Sequence, residues 1–185
     1  MADRWRIGQN GALTLTIAAF CAGCGRLGYE PMPLSITSLV VHDSDPARAA
    51  LWSIRSDLQP GISGAHPWGD WPDTYILSVD PAATFLLGNQ WIAVAAESKK
   101  YTGGPQATIT MRGTLDLYML VDDRWGTAPS WTAGWTVSAG KMTIWESIDR
   151  PSLTFGVYQR PASSGSLDLP QIGDNVGYNY IIVAE

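Results

Sequence analysis

The chain has 185 residues, 45% of them hydrophobic and 16% charged, a balance that fits a folded globular domain and excludes a disordered one. The formal net charge is -5. With no Lys/Arg cluster, that charge argues against nucleic acid as a partner and against electrostatic attachment to anionic lipid.

The amino-terminal stretch reads as three pieces. Arg4 and Arg6 give a weakly basic start, offset by Asp3, and residues 12–20 form a short apolar run. The run is too short to cross ~30 Å of hydrocarbon as a stable helix, so it reads as the apolar region of an export signal peptide. Cys21-Ala22-Gly23-Cys24 follows. Ala22-Gly23-Cys24 resembles the lipobox of bacterial lipoproteins, with Cys21 at the place where Leu is usual. The resemblance implies cleavage before Cys24 and acylation of Cys24 with palmitate-type chains, which makes the lipid bilayer a partner through Cys24. Gly25 stands where an Asp would signal inner-membrane retention, so the expected location is the outer membrane of a Gram-negative cell envelope. The alternatives for this stretch are an ordinary cleaved signal or an amphiphilic first strand.

Both Cys of the chain lie here. A redox C-x-x-C needs a βαβ setting and zinc needs further ligands, and the sequence offers neither. The expected organisation is a signal peptide at 1–23, the lipidated Cys and a Pro-containing tether at 24–35, and one domain at 36–185.

From Ile36 onward the hydrophobic pattern has period two. Residues 108–112, 115–121, 153–158 and 178–183 each alternate, and Val, Ile, Thr and Tyr are frequent in them. Alternation places Leu115, Leu117, Met119 and Val121 on one face of a strand and Asp116 and Tyr118 on the other. Residues 45–51 suit a single helical turn, and 163–166 (Ser-Ser-Gly-Ser) read as a local turn. Short strands punctuated by 19 Gly and 12 Pro predict an all-β fold: a single antiparallel β-sandwich, jelly-roll-like.

Several motifs in this region carry a resemblance. They are Leu87-Gly88-Asn89-Gln90-Trp91-Ile92, the strand Leu115-Asp116-Leu117-Tyr118-Met119-Leu120-Val121 ending in Asp122-Asp123-Arg124, Pro129-Ser130-Trp131, and Gly134-Trp135-Thr136. Together they resemble the β-sandwich modules that accompany secreted bacterial polysaccharide lyases and glycoside hydrolases. The likeness implies a β-sandwich and a non-catalytic, carbohydrate-binding role.

The outstanding residue type is Trp. There are nine, all but Trp5 beyond the signal. Trp68, Trp71, Trp125, Trp131 and Trp135 fall in or beside Gly/Pro-rich loops. A Trp face can stack on the C–H face of a pyranose while the indole N–H reaches a hydroxyl. The competing reading is that Trp fills the space between sheets, and Trp91 and Trp145, inside strand-like runs, are expected there. Trp68, Trp71 and Trp125 are the first candidates for binding. Arg124 and Asp123 join the candidate set as a polar clamp on a hydroxyl or uronate, against the reading of a structural ion pair. The acidic groups at 43–45 and 70–73 lack the ligand count of a calcium loop, so no cofactor is expected and turn-forming Asp is preferred over calcium.

Catalytic motifs are missing: only His42 and His66 are present, with no G-x-S-x-G, H-E-x-x-H or phosphate loop. A Glu97/Glu146 carboxylate pair remains the one enzymatic alternative. The leading expectation is therefore a membrane-anchored module for polysaccharide or cell-wall glycan. An envelope structural or protein-interaction lipoprotein and a small secreted carbohydrate-active enzyme stand as the alternatives.

Overall fold

The structure is a computed structural model that describes residues 33–126, 129–150, 152–173 and 176–185. The expected signal peptide, the lipidation site Cys24 and the tether up to residue 32 lie outside the described residues. The unit Leu34–Glu185 is all-β. Its strands are β1 (Ser35–Val41), β2 (Ser53–Arg55), β3 (Tyr75–Val79), β4 (Gln90–Ala93), β5 (Ala107–Asp122), β6 (Thr136–Trp145), β7 (Leu153–Leu169) and β8 (Ile181–Ala184). A short helix, α1 (Pro46–Ala49), follows β1. Asp45 caps α1 by accepting from the N–H of Ala47 and Arg48, and Pro46 sits at its first turn, the N-terminal chemistry that starts a helix even of one turn.

All pairings between named strands are antiparallel, in the order β2-β4-β8-β5-β7-β6-β3, with β1 added beside β5. The long strands β5 and β7 pair from Ala107↔Leu169 to Asp122↔Phe155. This ribbon bends where its register shifts, between Thr110 and Thr114. Gly113 sits at the bend with φ +80, and a Cβ there would collide with the Leu34 side chain, so the bend needs glycine. Residues 108–112 and 115–121 are thus two halves of one strand. The Ser-Ser-Gly-Ser at 163–166, read from sequence as a turn, lies inside β7 opposite this bend. Its turn chemistry appears as positive φ at Ala162 and Gly165 without breaking the ladder.

The bend brings both ends of β5 back to one neighbourhood. Gln106, just before β5, donates to Ser98 O at 3.0 Å. The adjacent Lys99 donates to Gly177 O, and Tyr178 N donates to Asp122 at the far end of β5. One continuous sheet folded over in this way supplies two layers. β1 enters at the bend, with Ser35 opposite Arg112, and runs toward the returning ends, with Val41 opposite Ala107. The Gln90 side chain ties β1 down by accepting from Ile36 N (2.6 Å) and donating to Ile36 O (3.1 Å).

The first half of β5 alternates buried and wetter residues, as its sequence predicts. From Leu117 to Asp122 every residue is buried. Tyr118, expected on an outer face, is covered by Phe85 with ring centroids 4.9 Å apart. Phe155, on the same face by register, is covered by Trp68 at 5.6 Å. The segment between β2 and β4 therefore forms a second lid on the sheet. A strand buried on both faces reads as a continuous apolar run and hides which face is outer.

Candidate functional site

The returning ends of β5, the end of β6 and the segment before β8 meet around one side chain, Tyr178. The construction starts at Asp122, which is buried. Its carboxylate accepts from Arg124 N, from Tyr178 N, and from the forked Arg124 guanidinium at 2.5–3.0 Å. A buried carboxylate is tolerable when paired and hydrogen-bonded in this way. The hydrogen bond to Asp122 holds the Arg124 guanidinium more firmly protonated than usual. Arg124 also lies over the Tyr178 ring, 5.1 Å from its centroid. Lys99 Nζ lies 5.3 Å from the same centroid. Burial lowers the Lys99 amine below its ordinary range.

Trp68 stacks on Tyr178 at 4.5 Å. Trp71 meets it edge-on at 5.7 Å. Trp125 Nε1 donates to Tyr178 O at 3.0 Å. The Tyr178 hydroxyl donates to Glu146, and burial together with that bond raises the phenol well above its ordinary range. Arg150 Nη1 also donates to Glu146, at 2.5 Å, and its guanidinium lies 5.6 Å from the Trp71 ring centroid. Gly177 carries φ +60, and a Cβ there would overlap the Trp125 indole.

Trp71 is held by a tied loop. Val94 N donates to Pro67 O and Gly69 N to Val94 O. His66 Nδ1 donates to Thr74 O at 2.9 Å, and Thr74 Oγ1 to Trp71 O at 2.6 Å. Asp70 accepts from the N–H groups of Ala96 and Glu97 at 2.7 and 3.0 Å. The result is an open cleft of about 360 Å³ lined by Asp70, Trp71, Pro72, Asp73, Thr74, Glu146 and Ser147.

The structure separates the sequence candidates. Trp68 has no exposure, and its Nε1 donates to Asn179 O at 3.2 Å. The expectation that Trp68 offers a free face is corrected, because the ring fills the lid over Phe155. Trp135 is also corrected to the interior, at 8% exposure. Trp125 and Trp131 are half-buried and meet edge-on at 5.8 Å, and Trp131 continues to Tyr180 at 5.9 Å. Trp71 is half-buried and lines the cleft. Arg124 is committed to Asp122 and Tyr178. Asp123 points elsewhere, to an exposed ion pair with Lys141 at 2.6 Å. That pair borders a separate groove of about 460 Å³ whose lining includes Gly126, Gly140 and Gly156.

Tyr178 and Arg150 were not singled out in sequence. Tyr178 was assigned to the last strand, which begins only at Ile181. The i,i+4 spacing of Glu146 and Arg150 was the one readable signal. Glu97 and Glu146 do not act as a free pair, since Glu97 is bridged to Lys100 and Glu146 to Arg150. Among the described residues no three His, Cys, Asp or Glu gather so as to hold a metal ion. Asp43 is forked by Arg48 at 2.8 Å and Asp45 caps α1.

No protein-family profile matches the chain, and no curated protein sequence matches it. A solved structure titled as a β-glucuronidase from glycoside hydrolase family 2 is similar, with a TM-score of 0.59 over 82% of this chain at 14% identity. The match spans 14% of that protein. The likeness shows a shared all-β sandwich fold with one portion of a much longer enzyme.

Proposed function

We propose that this chain is a non-catalytic carbohydrate-binding β-sandwich, held at a membrane by a lipid on Cys24, with the Trp71 cleft as its glycan contact. One observation carries the reading: a half-exposed indole forms the wall of an open cleft whose other walls present carboxylates and a hydroxyl. Sugars need both an apolar face to stack on and acceptors for their hydroxyls. Trp71 supplies the first and Asp70, Asp73 and Ser147 the second. The fold shared with part of a β-glucuronidase supports a carbohydrate-related module. The reading assigns no catalytic step, because Glu146 is engaged by Arg150 and Tyr178.

The anchor rests on the order of charge, apolar run and small residues before Cys24. Metabolic labelling with a clickable palmitate analogue tests the anchor. The label is expected in the wild type and absent from Cys24→Ser; a label that survives that change refutes it.

Intrinsic Trp fluorescence across a glycan panel tests the binding. Wild-type protein is expected to respond to at least one glycan, and Trp71→Ala to none. Silence across the panel contradicts the reading and shifts weight to an envelope interaction protein.

A further inference from the structure

We infer that the Trp71 cleft selects against sugars carrying a carboxylate and favours those carrying a protonated amine. The inference rests on the glycan-binding reading and names the ligand class for that same site.

Three of the seven residues lining the cleft bear carboxylates: Asp70, Asp73 and Glu146. Glu146 is neutralised by Arg150, the guanidinium lying over Trp71. Asp70 is fixed by two backbone N–H groups and has no ion-pair partner among the described residues, and neither has Asp73. The other cations nearby are committed elsewhere. Lys99 donates to Gly177 O, Arg124 forks onto Asp122, and Lys100 pairs with Glu97. The cleft therefore presents two uncompensated carboxylates beside its aromatic wall. A uronate stacked on Trp71 would bring a third negative group against them, and the cation over that ring, Arg150, is already bridged to Glu146. Hydroxyls donate to carboxylates, and an ammonium donates with charge, so a neutral ring is accepted and an amino sugar is preferred. Like-charge juxtaposition of this kind is how a site rejects a ligand of the same shape.

The test titrates the intact protein with three oligosaccharides of equal length: glucosamine, glucose and galacturonate. Trp fluorescence is followed at about pH 5.5, where the sugar amine is protonated, at low and at high ionic strength. At low salt the glucosamine oligomer is expected to bind tightest and the galacturonate oligomer weakest, with steps of about tenfold. High salt compresses the series. Asp73→Asn narrows the gap between amine and uronate. Binding with galacturonate equal to or tighter than glucose overturns the charge inference alone. A gap unchanged in Asp73→Asn overturns it too. No response to any of the three overturns the glycan reading, and this inference with it.

Discussion

Trp68 and Tyr178 stack with ring centroids 4.5 Å apart and planes inclined by 26°. That contact joins the lid over the sheet to the segment that leads into β8. Trp68 is one of the largest fully buried side chains, and its neighbour Trp71, three residues on, lines the cleft. One ring is locked in the core while the other is left at the cleft wall.

The two indoles are therefore expected to differ sharply on removal. Trp68→Ala leaves a cavity beside Phe155 and orphans the Asn179 carbonyl, at a cost of about 3–5 kcal/mol. Trp71→Ala, half-exposed, costs on the order of 1 kcal/mol. Urea unfolding measures both; equal costs would place Trp68 outside the core.

Gly177 is held to glycine twice over, by φ +60 and by the Trp125 indole. Gly165 has φ +69 and nothing within 4 Å of a built Cβ. Gly165→Ala is expected to lose about 1 kcal/mol of stability from backbone strain alone. Gly177→Ala loses more and changes the Trp125 emission, since the Nε1 bond to Tyr178 O is displaced. Similar losses in the two variants would mean that Trp125 yields freely.

Stability toward acid turns on Asp43. Burial raises this carboxyl, but the Arg48 fork, the Asp45 N–H and the Ser98 hydroxyl outweigh burial and set it below 3.8. A depressed folded value means the group stabilises the fold above its unfolded pKa and loses that contribution as pH falls through the folded one. Asp43→Asn is expected to lose about 1–3 kcal/mol near neutrality, discounted because Arg48 is partly wet. It also has a flatter acid decline than the wild type, measured as urea midpoint against pH. A variant with the same acid slope contradicts the assignment.

Alkali tests the other side. Burial first, then a hydrogen bond with Glu185, pushes the Tyr118 phenol up to about 12, and Tyr178 and Tyr180 are raised as well. The stability held by protonated Tyr118 is present below 10 and lost as pH rises toward about 12. Phenolate absorbance should show these tyrosines titrating only with unfolding. Ordinary titration of every tyrosine in folded protein would show that the rings are wet.

The strands were legible because half-buried β leaves a period of two in the sequence, as at Ile109, Met111 and Leu115. The burial of Tyr118 was not legible, because a lid from residues 56–89 covers a face that would otherwise be outer. Trp68 and Trp71 carry the same local signal, Gly and Pro beside an aromatic, and their roles part only through long-range contacts with Phe155 and Tyr178. A structural ion pair at Arg124 was one reading of the sequence, but its partner is Asp122 rather than Asp123, and the Asp122 carboxylate also takes Tyr178 N from 56 residues away. Tyr178 looked like one more strand residue because strand propensity says nothing of where a ladder begins.

The most direct test of the central claim is oxidation of the indoles by N-bromosuccinimide, located by mass spectrometry, with and without the oligosaccharide that gives the largest fluorescence response. Trp71 is expected to react before Trp68, Trp91 and Trp135, and bound sugar is expected to slow Trp71 alone. Trp71 reacting as fast with sugar bound as without it would contradict the account.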